Sequence, residues 1–303
     1  MVEVRALPEA VLPEWVELRA RSGARPGTLE NFRDWARQAA ETAWFAASVD
    51  GEDAGVAIVL VGWHEPPGVA RAEVDVSPER RGCGVGSALL AAVGAWARER
   101  GYSDLMTPVA EDDPASLAWA EQRGFREVGR NSLLALDLEG VEAPAVDPPN
   151  GVEVVTWAER PDLSRGIYEV AREAYADVPG DELEEMAPFE EWLRVDMQGS
   201  GDRPEATFIA LAGDEVVGYA KFSLGDARPT VGFHDMTGVK RSWRGRGIAA
   251  ALKRAEIAWA KENGYTRLET LNEERNEPIR RLNERHGYRF EPGKITVRGP
   301  IAA

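Results

Sequence analysis

The stretch "RGRGIAAALKRAEIAWAKENGY" runs from Arg244 to Tyr265. Its opening, Arg-Gly-Arg-Gly, precedes a run with helical spacing and follows the β-branched and aromatic run "TVGFHDMTGV". A strand that turns into a helix through glycines is an anion trap. The first backbone N–H groups of the helix have no intrahelical acceptor, and glycine reaches the left-handed conformation that lets them converge. The helix end adds about 0.3–1 kcal/mol for a nearby negative charge. The turn therefore predicts a phosphate or pyrophosphate ligand. It is no dinucleotide fingerprint: after Gly245 and Gly247 comes Ala249, and several strands precede the turn. Nor does the chain contain the lysine-bearing phosphate loop of nucleotide triphosphatases.

A near copy, "RGCGVGSALLAAVGAWARERGY", runs from Arg81 to Tyr102. Arg81 and Arg244 stand 163 positions apart, and the same separation pairs Trp96 with Trp259, Gly124 with Gly287 and Gly55 with Gly218. A match of that length marks a duplicated domain, not a short-repeat array. The proline-rich "VEAPAVDPPNG" (Val141–Gly151) reads as the joint. The domains predicted are residues 1–140 and 151–303, with 141–150 as linker. Each half runs in the same order: an opening strand, a broken helix, a hairpin, a further strand, the glycine turn with its helix, then another strand and helix. Leu89, Leu90, Val93, Trp96 and Ala97 share one helical face, so Trp96 and Trp259 read as core anchors. Antiparallel hairpins followed by a βαβ-like unit give an α+β fold, a mixed and mostly antiparallel sheet flanked by helices.

Composition narrows the partners. The 303 residues carry a formal charge of −16 and one cysteine, Cys83. A negative field repels nucleic acid and anionic lipid and attracts cationic small molecules. No apolar run reaches the ~18–20 residues of a membrane span. The opening residues lack the basic and apolar regions of a secretory signal. Together these predict a cytoplasmic chain with a small-molecule or peptide partner.

Arg81-Gly82-Cys83-Gly84-Val85-Gly86 and Arg244-Gly245-Arg246-Gly247-Ile248-Ala249 both resemble the Q/R-x-x-G-x-G/A motif of the GNAT N-acetyltransferase superfamily. "NEPIRRLNERHGY" (Asn276–Tyr288) is similar to that family's asparagine-to-tyrosine segment, and "DPASLAWAEQRGF" (Asp113–Phe125) is its weaker first copy. The resemblance spans most of both halves, in a tandem layout similar to the mycothiol synthase type. It implies acetyl-CoA as co-substrate, its pyrophosphate on both turns. It also implies direct transfer to an amine, with a backbone N–H near Val239, or Val76 in the first half, stabilising the oxyanion. Asn276 would support the cofactor; capping the next helix is compatible with that. Asp113 stands there in the first copy, a negative charge beside an anionic ligand.

The chain departs from the family at the general acid. The tyrosine position, four before the glycine, is Asn283 in the second half and Ala120 in the first. Asn283 can still hydrogen-bond the sulfur or a water; Ala120 cannot. The second half is therefore expected to be the working site. Proton acceptors there are His234 and Asp235, which alternation points to opposite faces, with Asp235 preferred. Glu73 on the matching first-half strand reads as a base or a surface carboxylate. Cys83 fills a free position of the turn. The resemblance implies that the helix break lines the acceptor pocket; here it reads "DELEEMAPFEE" (Asp181–Glu191), a solvated acidic face or a lure for a cationic amine. Open alternatives are an acyl-CoA-binding pseudoenzyme and a thiol-metabolite acetyltransferase. No metal site is assigned.

Overall fold

The computed structural model describes residues 1–22, 24, 27–62, 65–178, 186–224 and 227–301. In chain order the first half forms β1 (Val2–Leu7), α1 (Leu12–Arg21), α2 (Leu29–Gln38), β2 (Glu41–Val49), β3 (Glu52–Val61) and β4 (Val69–Val76). It continues with α3 (Val85–Arg98), β5 (Asp104–Ala110), α4 (Pro114–Glu121) and β6 (Arg126–Asp137). The second half repeats the pattern as β7 (Glu153–Thr156), α5 (Ser164–Tyr175), α6 (Phe189–Asp196), β8 (Phe208–Ala212), β9 (Glu215–Leu224) and β10 (Val231–Val239). Then come α7 (Ile248–Glu262), β11 (Arg267–Glu273), α8 (Glu277–Arg285) and β12 (Arg289–Pro300). Among the described residues, no helix is long and apolar enough to cross a membrane.

Two compact units result, but the chain does not divide between them at the proline-rich joint. One unit holds Met1–Gly129 with Lys294–Ala303, the other Arg130–Gly293. Residues 130–140, expected with the first half, thus pack in the second unit, and residues 294–301 pack in the first. The cause is strand pairing. In the first unit β5 takes its outer neighbour from the chain's far end, Ala110 opposite Lys294 through Asp104 opposite Pro300. In the second, β11 takes β6, Arg267 opposite Asp137 through Glu273 opposite Asn131. A strand edge is a row of unpaired N–H and C=O groups. Each half's edge is covered by the closing strand of the other half, a non-local pairing that periodicity does not reveal.

Within the first unit β1 to β4 are antiparallel neighbours and β4 pairs parallel with β5. Alternation along β3 gives the sheet two greasy faces. Ala57 and Val59 meet Leu89, Val93 and Ala97 of α3, and Ile58 meets Trp15 and Phe32 of α1 and α2. The helix break is real: Thr28 caps α2 reciprocally with Asn31. The second unit is built alike. Ile248, Leu252 and Ala255 of α7 cover one face, while Ile167 and Val170 of α5 with Trp192 of α6 cover the other. Trp96 and Trp259 are both partly buried against these cores.

Candidate functional site

The two arginine-glycine turns are close copies in space as well. Gly82 and Gly84 have φ of +76° and +85°; Gly245 and Gly247 have +75° and +89°. A Cβ on any of the four would meet no atom within 4 Å, so glycine is there for its φ and for the open space in front of it. Gly84 and Gly247 are the N-caps of α3 and α7, and neither helix receives a side-chain cap. The first helical bond of α7 is donated by Ala251 to the Gly247 carbonyl. The N–H groups from Gly245 to Ala250 take no acceptor among the described residues. A Cβ at Gly86 would sit 3.6 Å from Trp119 and Val76, ordinary contact, which is why alanine serves at position 249.

The leading arginines brace the turns from behind. Arg244 Nε donates to the Val239 carbonyl at 2.9 Å, and its guanidinium lies 2.6 Å from Asp177. Asp177 also takes both arms of Arg241, at 3.0 and 2.7 Å. Hydrogen bonds from Arg241 and then Arg244 hold the Asp177 carboxyl down at about 2. In the first unit Arg81 reaches the Val76 carbonyl at 3.5 Å and Asp113 at 3.5 Å. Arg246 lies over the Trp243 ring, where the first turn has exposed Cys83.

In front of each turn a strand edge lies open. β10 pairs parallel with β11 only from Val231 to Phe233, although both strands run on, to Val239 and Glu273. On its other side β10 stays paired with β9 as far as Val239 opposite Gly218. The inner edge of Met236–Val239 therefore has backbone groups free to meet a ligand. β4 and β5 part in the same way after Arg71 and Met106.

The remaining sequence candidates fall as follows. Asn276 is the N-cap residue of α8 yet makes no capping bond, and its amide is unengaged among the described residues. Its counterpart Asp113 does cap, accepting from the Ser116 N–H at 2.9 Å and the Ser116 hydroxyl at 2.7 Å. Asn283 is fully buried; its Nδ2 donates to Asn272 Oδ1 at 2.8 Å and its Oδ1 has no partner among the described residues, so it is not placed to meet the sulfur or a water as the sequence suggested. His234 is buried and Asp235 exposed, on opposite sides as expected, but through a bulge rather than plain alternation. Phe222 pairs with His234 and Lys221 with Met236, which leaves Asp235 as the extra residue. Its Oδ2 is 2.8 Å from Lys221 Nζ, while Oδ1 takes no partner among the described residues. Positions 181–185 of the acidic helix break lie outside the described residues.

Glu73 is not a surface carboxylate. It is 7% exposed, with Arg19 at 3.0 Å and Arg71 at 3.7 Å. Arg19 also reaches Asp75 at 3.1 Å. Burial favours a neutral Glu73, but Arg71, Lys294 and Arg19 outweigh it and lower the pKa. For Asp75 burial wins and the carboxyl is raised to about 6.

Lys221 was invisible to motif reading. It is buried between Asp235 and Asp202, the latter at 3.0 Å, and also donates to the Asp196 carbonyl. Burial opposes its charge, but the two carboxylates more than compensate and raise its pKa. Its clue lay in the repeat, where the matching residue is Ile58.

The chain matches the model of the acetyltransferase (GNAT) family twice, over residues 7–125 and 165–288. It is 29% identical over 226 residues to the mycothiol acetyltransferase of Nocardia farcinica, covering 72% of this chain and 70% of that protein. It is 30% identical over 145 residues to the aminoglycoside N(6')-acetyltransferase type 1 of Stenotrophomonas maltophilia, 45% of this chain and 94% of that one. Among solved structures, the GCN5-related N-acetyltransferase of Sphaerobacter thermophilus superposes with a TM-score of 0.76 at 25% identity, over 100% of this chain and 96% of that one. With two family matches spanning most of its length and the fold to go with them, the chain belongs to the GNAT acetyltransferase family, as a tandem member.

Proposed function

We propose that the second unit moves the acetyl group of acetyl-CoA to a primary amine of a small molecule or peptide. Acetyl-CoA fits what the residues offer: a row of unclaimed N–H donors at Gly245–Ala250, room before the glycines, and an open strand edge beside them. It supplies the activated thioester; the chain supplies alignment and proton handling. Arg244, Gly245, Arg246, Gly247, Ile248 and Ala249 hold the pyrophosphate, and Asn276 adds a polar contact. The N–H near Val239 faces the acyl oxygen. Asp235 Oδ1 takes the amine proton, directly or through water, its geometry fixed by Lys221. Asn283, sealed from the surface and donating to Asn272, does not reach the leaving sulfur, whose proton comes from solvent.

One observation favours the second unit over the first: the Asn276 amide is unspent, whereas Asp113 is locked into a cap and pairs with the first turn's arginine. Val76, Arg81, Gly82, Gly84, Val85 and Gly86 keep the shape of a cofactor turn but sit beside that carboxylate. The first unit therefore binds acetyl-CoA more weakly and serves chiefly as scaffold. A second reading of the acceptor rests on the mycothiol acetyltransferase relative, which favours a cysteinyl amine within a thiol metabolite.

The test is calorimetric titration with acetyl-CoA, followed by a panel of an aminoglycoside, a polyamine and a cysteinyl amine. Gly247→Glu forces a side chain into a left-handed position and adds a like charge. It is expected to cut acetyl-CoA affinity at the second turn at least 100-fold, about 2.7 kcal/mol, and to abolish transfer. Transfer surviving Gly247→Glu but lost with Gly84→Glu would move the working site to the first unit.

A further inference from the structure

Four ionisable side chains lie together beneath α7. Lys253 and Glu256 project from the helix, His234 comes from β10, and Tyr288 follows α8; none is more than 3% exposed. Glu256 Oε2 is 2.8 Å from His234 Nδ1 and 3.6 Å from Lys253 Nζ. The Tyr288 hydroxyl meets His234 Nε2, and Lys253 Nζ stands 5.6 Å from the Tyr288 ring centroid. A carboxylate only accepts, so Nδ1 carries the imidazole proton and Nε2 accepts from the Tyr288 hydroxyl. The contacts follow in the order Lys253, Glu256, His234, Tyr288: two close charge contacts at Glu256 that lack hydrogen-bond geometry, then one hydrogen bond between His234 and Tyr288.

The duplication supplies the control. In the first unit the same positions hold Leu90, Val93, Ala72 and Phe125. Ala72 is the match for His234 because it pairs with Val59 as His234 pairs with Phe222. The same sheet and helix thus pack there with no ionisable group. Exchanging a buried ionic cluster for apolar side chains is generally neutral or stabilising, so folding does not call for this one. What differs between the units at this place is the strand. β10 has its bulge immediately after His234, just where it leaves β11; β4 pairs with β3 without any shift.

We propose that Lys253, Glu256, His234 and Tyr288 form a buried positioning chain that clamps β10 at its bulge, aiming Asp235 and the free edge Met236–Val239 at the acyl donor. The proposal rests on the second turn being the working site. The clamp needs a neutral His234. The groups facing that ring are Glu256 and Lys253 of α7, Tyr288 and His286 beyond α8, and the Phe222 ring edge from β9. Burial, helped by Lys253 and His286, lowers the imidazole pKa against the pull of Glu256. A second proton would place a cation beside Lys253 and remove the acceptor of the Tyr288 hydroxyl. Because the folded-state pKa lies below the ordinary 6.5, the clamp is at full strength above about pH 6.5 and is lost as pH falls through the folded value.

The experiment uses the full chain with Gly84→Glu, leaving only the second turn. Its clamp is compared with the first unit's own version: His234→Ala, Lys253→Leu, Glu256→Val and Tyr288→Phe together. Hydrogen exchange is read at the amides of Asp235–Val239, and acetyl-CoA affinity by calorimetry from pH 5.5 to 8. The apolar version is expected to exchange at least tenfold faster, to bind about tenfold more weakly at pH 8, and to lose the decline below pH 6.5. His234→Gln, neutral and hydrogen-bonding, should restore slow exchange while abolishing the pH response. Exchange within twofold of the parent overturns the proposal whether or not acetyl-CoA binds. Faster exchange in the apolar version, with a parent that binds no acetyl-CoA, overturns instead the assignment of the working site. Should the fourfold variant not fold, Tyr288→Phe alone keeps the shape; it must speed exchange at least threefold, and no change overturns the clamp.

Discussion

The first unit keeps its charges on one face of its sheet, and the second unit keeps some on both. Under α3 the first unit is apolar, with Leu90, Val93 and Phe125, and its buried charges are Arg19 and Glu73, with half-buried Asp75, on the α1 side. Under α7 the second unit holds Lys253, Glu256 and His234, and it also has Lys221 with Asp202 and Asp235. One backbone plan therefore tolerates two opposite solvations of the same place. Apolar packing in place of a buried ionic cluster is often worth about 1–4 kcal/mol of stability, so the second unit forgoes stability that the first retains. Retention of a costly polar cluster in one copy only is the signature of a task, and the two copies differ most where the cofactor turn and the opened strand meet.

That comparison can be broken most severely by ending the chain at Gly293. β5 would keep β4 but lose its outer partner, and Ile295 and Val297 would leave the first core. The first unit should fail to fold while the second keeps part of its protection, as hydrogen exchange would show; a fully protected first unit would refute the pairing. Next is Arg19→Met, which leaves buried Glu73 and half-buried Asp75 without their common cation. A loss of about 3–5 kcal/mol in denaturant unfolding of the first unit is expected. An effect below about 1 kcal/mol would mean that Arg71 and Lys294 suffice.

A smaller effect sharpens the contrast. The Asp75 carboxyl at about 6 lies above its ordinary 3.8, so the folded state binds the proton more readily. It therefore costs stability above pH 6, and the cost is relieved as pH falls towards 4. Asp75→Asn should raise stability at pH 7.5 by about 1 kcal/mol and leave it unchanged near pH 4, where the native carboxyl is already neutral. Equal shifts at both pH values would contradict that. Gly86→Ala, which makes the first turn more like the second, should change stability by less than about 0.5 kcal/mol, because the added methyl meets only ordinary contacts.

Much of this was legible from residues alone. The glycine turns, the helices behind them and the hairpins before them follow local rules of φ, capping and alternation. The repeat separation of 163 exposed the duplication, yet it also concealed something. The loop between β9 and β10 is one residue shorter than that between β3 and β4, and the bulge at Asp235 restores the count, so the sequences align without a gap. Lys253 and Glu256 could have been noticed as charges where the first copy has Leu90 and Val93. Their link to His234 and Tyr288 could not, since it joins three elements across the fold. Arg19 was hidden for the same reason: its partners lie on β4, more than fifty residues along the chain.

The crossed closing strands have a consequence for how the molecule is made. On a ribosome the first unit would wait, with one edge of its sheet uncovered, until residues 294–300 had been synthesised. Residues 131–137, already out, would meanwhile be reserved for a partner strand not yet translated. The second unit has all its strands by Gly293, whereas the first must wait for the chain's last strand, so duplication here has not produced two modules that follow one another along the chain. It has produced two units whose chain segments are exchanged, the first slow to close because its decisive contact is so distant in sequence, and cutting the gene at the proline-rich joint would separate β6 from β11 and β5 from the strand that closes it.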